Sequence, residues 1–161
     1  MKHLIILLLG LIMASVSLSA QEVILKKGRY YDPSTAKPFT GTYQEFNPEK
    51  TVVLSELTIL DGYLDGHSKV FYPSGKLKEV RSYVKGKKEG IWTTWSEAGQ
   101  KTAEASFKEG LKDGNWFVWD ENGVKRYEMF YEKGQKRGTW IIRDEHGVEV
   151  KRETFQPLSE S

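Results

Sequence analysis

Residues 86–119 read GKKEGIWTTWSEAGQKTAEASFKEGLKDGNWFVW, and the second half restarts the pattern of the first. Gly86 and Gly110 lie 24 residues apart, and Gly90 and Gly114, Trp92 and Trp116, and Trp95 and Trp119 keep the same spacing. The runs between glycines are six to eight residues long and rich in Trp, Phe, Val, Ile and Thr. That is the length and composition of strands, with too little room for helices. The intervening Glu97-Ala98-Gly99 supplies residues that tolerate positive φ, as a tight turn requires. One unit therefore reads as gly-x-x-x-gly, a strand, a glycine turn and a second strand ending in an aromatic.

The lattice extends in both directions. Gly62, Gly86, Gly110 and Gly134 form one series, Gly66, Gly90, Gly114 and Gly138 a second, and Gly75, Gly99, Gly123 and Gly147 a third. Twelve of the fifteen glycines fall on it, too many for scattered loop glycines. Apolar columns follow: Trp92, Trp116 and Trp140; Phe71, Trp95 and Trp119; and Tyr83, Phe107, Tyr131 and Phe155, extended back to Ile59. Repetition at a fixed period marks a repeat architecture. The predicted fold is all-β: tandem β-hairpin repeats of period 24 forming an elongated, twisted antiparallel meander sheet. A degenerate first unit places Gly41, Tyr43 and Phe46 where Gly90, Trp92 and Trp95 stand, with Lys50 at the glycine-turn position and one extra residue in its second run. Terminal units of arrays often depart from consensus because they cap an end. The repeat domain is thus expected over residues 39–155, after a lead-in segment at 21–38 and before a disordered tail at 156–161.

The segments Gly86 to Trp95 and Gly110 to Trp119 resemble the bacterial MORN-repeat variant found in YwqK-type antitoxin-like proteins. Lys37-Pro38-Phe39-Thr40-Gly41 looks like the start of such proteins, so the resemblance covers residues 26–155. It implies a β-hairpin array used for binding, usually to protein, with no family active-site residues to carry over. The last unit departs from the pattern, with Arg143 in an aromatic column.

Lys2, the apolar run Leu4 to Met13 and the small residues up to Ala20 have the layout of a secretory signal peptide, residues 1–20. The run is shorter than the roughly 20 apolar residues a spanning helix needs. The chain is therefore expected to be exported, periplasmic or secreted, with no transmembrane segment after cleavage. The chain contains no cysteine, so no disulfide, thiolate metal site or lipoprotein anchor is available. Removing Lys2 leaves 23 basic against 22 acidic residues, about +1, which gives no reason to expect nucleic acid as partner.

Side chains alternate along a strand, so Trp92 and Thr94 should share one face and Ile91, Thr93 and Trp95 the other. Trp116 and Val118 should oppose Phe117 and Trp119 in the same way. Two apolar faces call for a curled sheet, a segment packed across one face, or another molecule. The tryptophans Trp92, Trp95, Trp116 and Trp119 suit packing between units or, alternatively, stacking against a ligand such as a sugar ring. Turns on one edge carry Lys87, Lys88, Lys112, Lys136 and Arg137, and turns on the other carry Glu97, Asp120, Glu121, Asp144 and Glu145. The basic edge is a candidate strip for an anionic envelope component or a protein partner; plain solvation of charged turns is the alternative.

No chemistry-bearing motif emerges. His67 and His146 stand apart from any second histidine at helical spacing, and no nucleophile elbow or phosphate-cradling loop is present. No metal, cofactor or catalytic residue is expected. The sequence reads as an exported non-enzymatic module for protein–protein interaction in the bacterial envelope. The alternatives are a module for glycans or lipid headgroups, and an antitoxin-like protein as the family label suggests.

Overall fold

A computed structural model describes residues 22–156. The expected signal peptide and the tail beyond Gln156 lie outside the described residues. Among the described residues there is no helix, and hence none long and apolar enough to cross a membrane.

Two sheets form. The small one pairs β1 (Ile24–Lys26) with β2 (Arg29–Tyr31). The large one is an open antiparallel meander of twelve strands. It begins with β3 (Gly41–Phe46), β4 (Val53–Leu60), β5 (Tyr63–Leu64), β6 (Gly66–Phe71) and β7 (Leu77–Val84). It continues through β8 (Lys87–Lys88), β9 (Gly90–Trp95), β10 (Lys101–Lys108), β11 (Leu111–Trp119), β12 (Lys125–Glu132), β13 (Gln135–Arg143) and β14 (Glu149–Phe155). Its order along the main path is β14-β13-β12-β11-β10-β9-β7-β6-β4-β3, with β5 against β4 and β8 against β7. The sheet does not close into a barrel, and β3 and β14 are its edges.

The gly-x-x-x-gly segment is shorter as a turn than its sequence suggests. The reversal is two residues, Lys85 (φ 47°) and Gly86 (φ 78°), between paired Val84 and Lys87. Two successive positive φ values make a primed turn, whose twist matches that of the flanking strands. The next residues are already paired strand: Lys88 faces Tyr83 across β7 and β8. The strand then kinks at the second glycine. In the third unit Gly114 (φ 95°) passes Ser106 so closely that an added Cβ would lie 3.0 Å from the serine Cβ. Only glycine combines that backbone conformation with that approach.

The other edge uses three-residue loops. Asp120 N–H donates to the Val124 carbonyl and Gly123 N–H to the Asp120 carbonyl, a type I turn closed by a residue in the left-handed region. The Asp120 carboxylate accepts from the N–H groups of Asn122 and Val124, and Asp144 repeats this with His146 and Val148. The loop that follows β3 closes on Lys50 (φ 56°), with Asn47 accepting from Thr51 and Val52. Pairing slips by one residue beside each of these loops, at Phe46, Phe71, Trp95, Trp119 and Arg143. Such bulges bend the strand and add twist.

The lead-in is an ordered hairpin. Its turn, Lys27 (φ 50°) and Gly28 (φ 77°), is of the same two-residue kind as Lys85–Gly86. Tyr30 N–H donates to the Gly62 carbonyl, Gly62 N–H to Phe39, and Phe39 N–H back to Tyr30. Arg29 pairs with Asp61 at 2.9 Å. The most deeply buried side chains lie beneath this cap: Phe39 and Ile59 are 4% and 2% exposed, and Ser68 is 1%. Beyond it the sheet is a single layer whose side chains are mostly half-buried.

Candidate functional site

Directly opposed residues share a face, so the register defines two surfaces. One carries an unbroken aromatic row, Tyr83, Trp92, Phe107, Trp116, Tyr131, Trp140 and Phe155, with neighbouring centroids 4.8–5.3 Å apart and tilted or edge-on. That geometry favours aromatic pairs beyond their area of contact, by ~0.5–1.5 kcal/mol each. Each indole N–H is also satisfied: Trp92, Trp116 and Trp140 donate to the carbonyls of Ser82, Ser106 and Phe130 at 2.9–3.0 Å. The tryptophan of each unit is thereby fastened to the strand before it.

Lysines lie along this row. The Lys88 ammonium sits 4.6 Å from the Trp92 ring and 4.9 Å from Phe107. Lys112 sits 4.3 Å from Trp116 and 4.7 Å from Tyr131, and Lys136 sits 4.4 Å from Trp140 and 5.3 Å from Phe155. All three occupy the third position of gly-x-x-x-gly. Each ammonium lies over the rings as a cation–π contact, with Lys88 and Lys136 still exposed. Among the described residues none of the three forms an ion pair, in contrast to Arg81 with Glu79 and Lys151 with Glu153 on the same face.

At the capped end the third position is apolar. Leu64 and Phe39 stand there, beneath Tyr30. Tyr30, Glu45, Leu57, Ser68, Arg81 and Tyr83 line a shallow hollow in the same face. Partial burial pushes the phenols of Tyr30 and Tyr83 above their ordinary range, so both are neutral at physiological pH.

The turns themselves stack. The N–H groups of Gly62, Gly86, Gly110 and Gly134 donate to the carbonyls of Phe39, Leu64, Lys88 and Lys112. The Asp65, Glu89 and Asp113 carboxylates accept from the N–H groups of Lys85, Glu109 and Lys133 at 2.8–3.0 Å. Thr40 does the same for Asp61 in the first unit. Each turn is thus held by the unit before it, and these acids place negative charge along the edge that also carries Lys85 and Lys87.

Residues 64–85, 88–109 and 112–133 match the family model described as the MORN repeat variant. The chain carries three MORN-variant repeats. Each matched segment opens at the residue that reaches the aromatic row, Leu64, Lys88 or Lys112, and closes at the first residue of the next primed turn. The unit containing Lys136 and Trp140 lies past the matched repeats yet continues the same row. Compared with the curated proteins, the chain finds no match.

The nine residues singled out from the sequence do not form one cluster. Lys88, Lys112, Lys136, Trp92 and Trp116 come together on the aromatic face. Trp95 and Trp119 lie on the opposite face, where Trp119 packs against Phe117 at 5.8 Å with Lys101 and Lys125 over it. Lys87 sits at the turn stack beside Gly110. Arg137 is 13% exposed at its side chain and lies 3.6 Å from Glu132. Several charges on this second face are paired: Glu56 with Lys69, Glu104 with Lys101, Glu128 with Lys125 and Arg143, and Glu149 with Arg152. The cap residues Tyr30 and Phe39 went unrecognised in the sequence. The Lys27-Gly28 dipeptide, a copy of Lys85-Gly86 and Lys133-Gly134, is the signal that could have found the hairpin.

Proposed function

We propose that this protein is a non-enzymatic docking module that holds another protein against its aromatic, lysine-bearing face, and that it works outside the cytoplasm. The observation that carries this reading is the row of Lys88, Lys112 and Lys136 over the rings of Trp92, Trp116 and Trp140, on the part of that face beyond the lead-in cap, while several lysines of the opposite face are paired with acids. Aromatic residues are enriched in protein-recognition surfaces, and a row of solvated cations beside them adds charge complementarity to an acidic partner. Flat stacking of a sugar is less well served, since ammoniums already occupy the ring faces. Export rests on the layout of residues 1–20.

Immobilised protein would be compared with a K88E/K112E/K136E variant and a K101E/K125E variant, each checked by circular dichroism. A protein from the native envelope should be retained by the wild type and by the second variant, and lost with the first. Equal retention on all three would defeat the reading. Amino-terminal sequencing of the protein from an osmotic-shock fraction should begin near Gln21; an intact Met1 in the cytosol would defeat export.

A further inference from the structure

We infer that the aromatic face takes an acidic, proline-rich segment in the polyproline II conformation, with an Asp or Glu at every third residue. This rests on the preceding reading of that face as a protein-docking surface and names what docks there. Three observations carry it. The first is charge: Lys88, Lys112 and Lys136 form no ion pair among the described residues, and although the Glu153 carboxylate lies near enough to Lys136 for their charges to interact, the row as a whole presents positive charge. A second copy of this chain, face to face, would oppose cation to cation and is disfavoured.

The second is spacing. Successive lysines are one unit, hence two strands, apart, and strands lie ~4.8 Å apart, so the row repeats at ~9.6 Å across the strands. A polyproline II helix has three residues per turn and ~3.1 Å rise, so every third residue returns to one side after ~9.3 Å. An extended β-strand returns to one side after about 6.6–6.8 Å and would fall out of step within three lysines.

The third is the floor. On the same face, one row over, the register places Thr94, Ala103, Val118, Tyr127 and Ile142 side by side across the sheet. Tyr127 is 40% exposed. That strip is uncharged and offers apolar surface to pyrrolidine rings while the carboxylates reach the lysines. A preformed polyproline helix also loses little conformational entropy on binding to such an aromatic-lined surface.

The test uses the full chain and two synthetic peptides of equal length and composition. One is four repeats of Glu-Pro-Pro; the other gathers its glutamates into a single block. Binding is read by calorimetry and tryptophan fluorescence at low and moderate salt. The periodic peptide should bind at least tenfold more tightly, and binding should weaken as salt screens the row. K112Q should weaken it severalfold, while K112R, which keeps the charge, should retain it. Equal affinity for the two peptides, indifference to K112Q, or tighter binding of polygalacturonate or anionic vesicles would overturn the inference. The capture experiment above separates the two failures: a partner lost with K88E/K112E/K136E but lacking such a segment leaves the docking face standing and removes only the polyproline ligand.

Discussion

Lys88, Lys112 and Lys136 stand where Leu64 and Phe39 stand in the two N-terminal units, and the change follows the covering of the face. Beneath the cap the position is buried (Phe39) or half-buried (Leu64) and takes an apolar side chain; beyond it, a lysine places its ammonium over the rings. Glycines at the residue scale differ by what surrounds them. At Gly86 an added Cβ would meet Tyr63 at an ordinary 3.5 Å, whereas at Gly114 it would lie 3.0 Å from the Ser106 Cβ. G86A should therefore cost ~1–2 kcal/mol from positive φ alone. G114A should cost about 1 kcal/mol more, because β10 must give way. Urea denaturation of both variants checks the order; equal losses would mean the close approach is absorbed for nothing. Both glycines were legible from their period, but their different surroundings were not, since Ser106 is adjacent only through pairing.

Hairpins here are coupled twice, by strand pairing and by the stack of turns. The turn chemistry was readable: glycine after a residue that accepts positive φ predicts a reversal. The roles of Asp65, Glu89 and Asp113 were not, because an acid in a glycine-rich turn looks merely solvated until the next unit is laid beside it. Ion pairs across the second face act at this same scale. Lys69 hydrogen-bonds Glu56 and holds its carboxyl below the usual range. Partial burial opposes the same change at Glu128, but the Arg143 hydrogen bond and Lys125 outweigh it, and its carboxyl is lowered too. A carboxyl lowered in the folded state adds stability that is fully present above its unfolded value, about pH 4.3, and is lost as pH falls through the folded value. Thermal melts should therefore be insensitive to these groups from pH 6 to 8 and fall below about pH 4.3. E56Q/E128Q should flatten part of that acid limb, and an unchanged limb would remove these pairs as its cause.

Across the whole molecule, each strand of the large sheet pairs only with strands one or two places away along the chain. Stability should then be close to a sum of units and their interfaces, and folding should depend on local contacts. Deleting residues 87–110 removes one period and joins Gly86 to Leu111, so turn, lysine position and aromatic row stay in step. The shortened protein should keep its β spectrum and a cooperative melt at lower temperature. Deleting residues 87–98 instead would put the strands out of register and should abolish folding. If the two deletions melted alike, the units would not be the quasi-independent blocks their geometry implies. The open ends fit the same plan: β14 carries Glu149, Lys151, Arg152 and Glu153 along its exposed edge, charges that discourage pairing with other chains.

Glycine period, strand composition and alternating aromatics were enough by themselves to determine an all-β meander of 24-residue hairpins, because those properties act on neighbours along the chain. Which face stays open, and which lysines lie over rings while others pair with acids, was decided only by the tertiary structure. Alternation defines two faces without ranking them. The ranking comes from the lead-in hairpin crossing one end of one face, and from bulges and register that set how far each long side chain reaches across its neighbours.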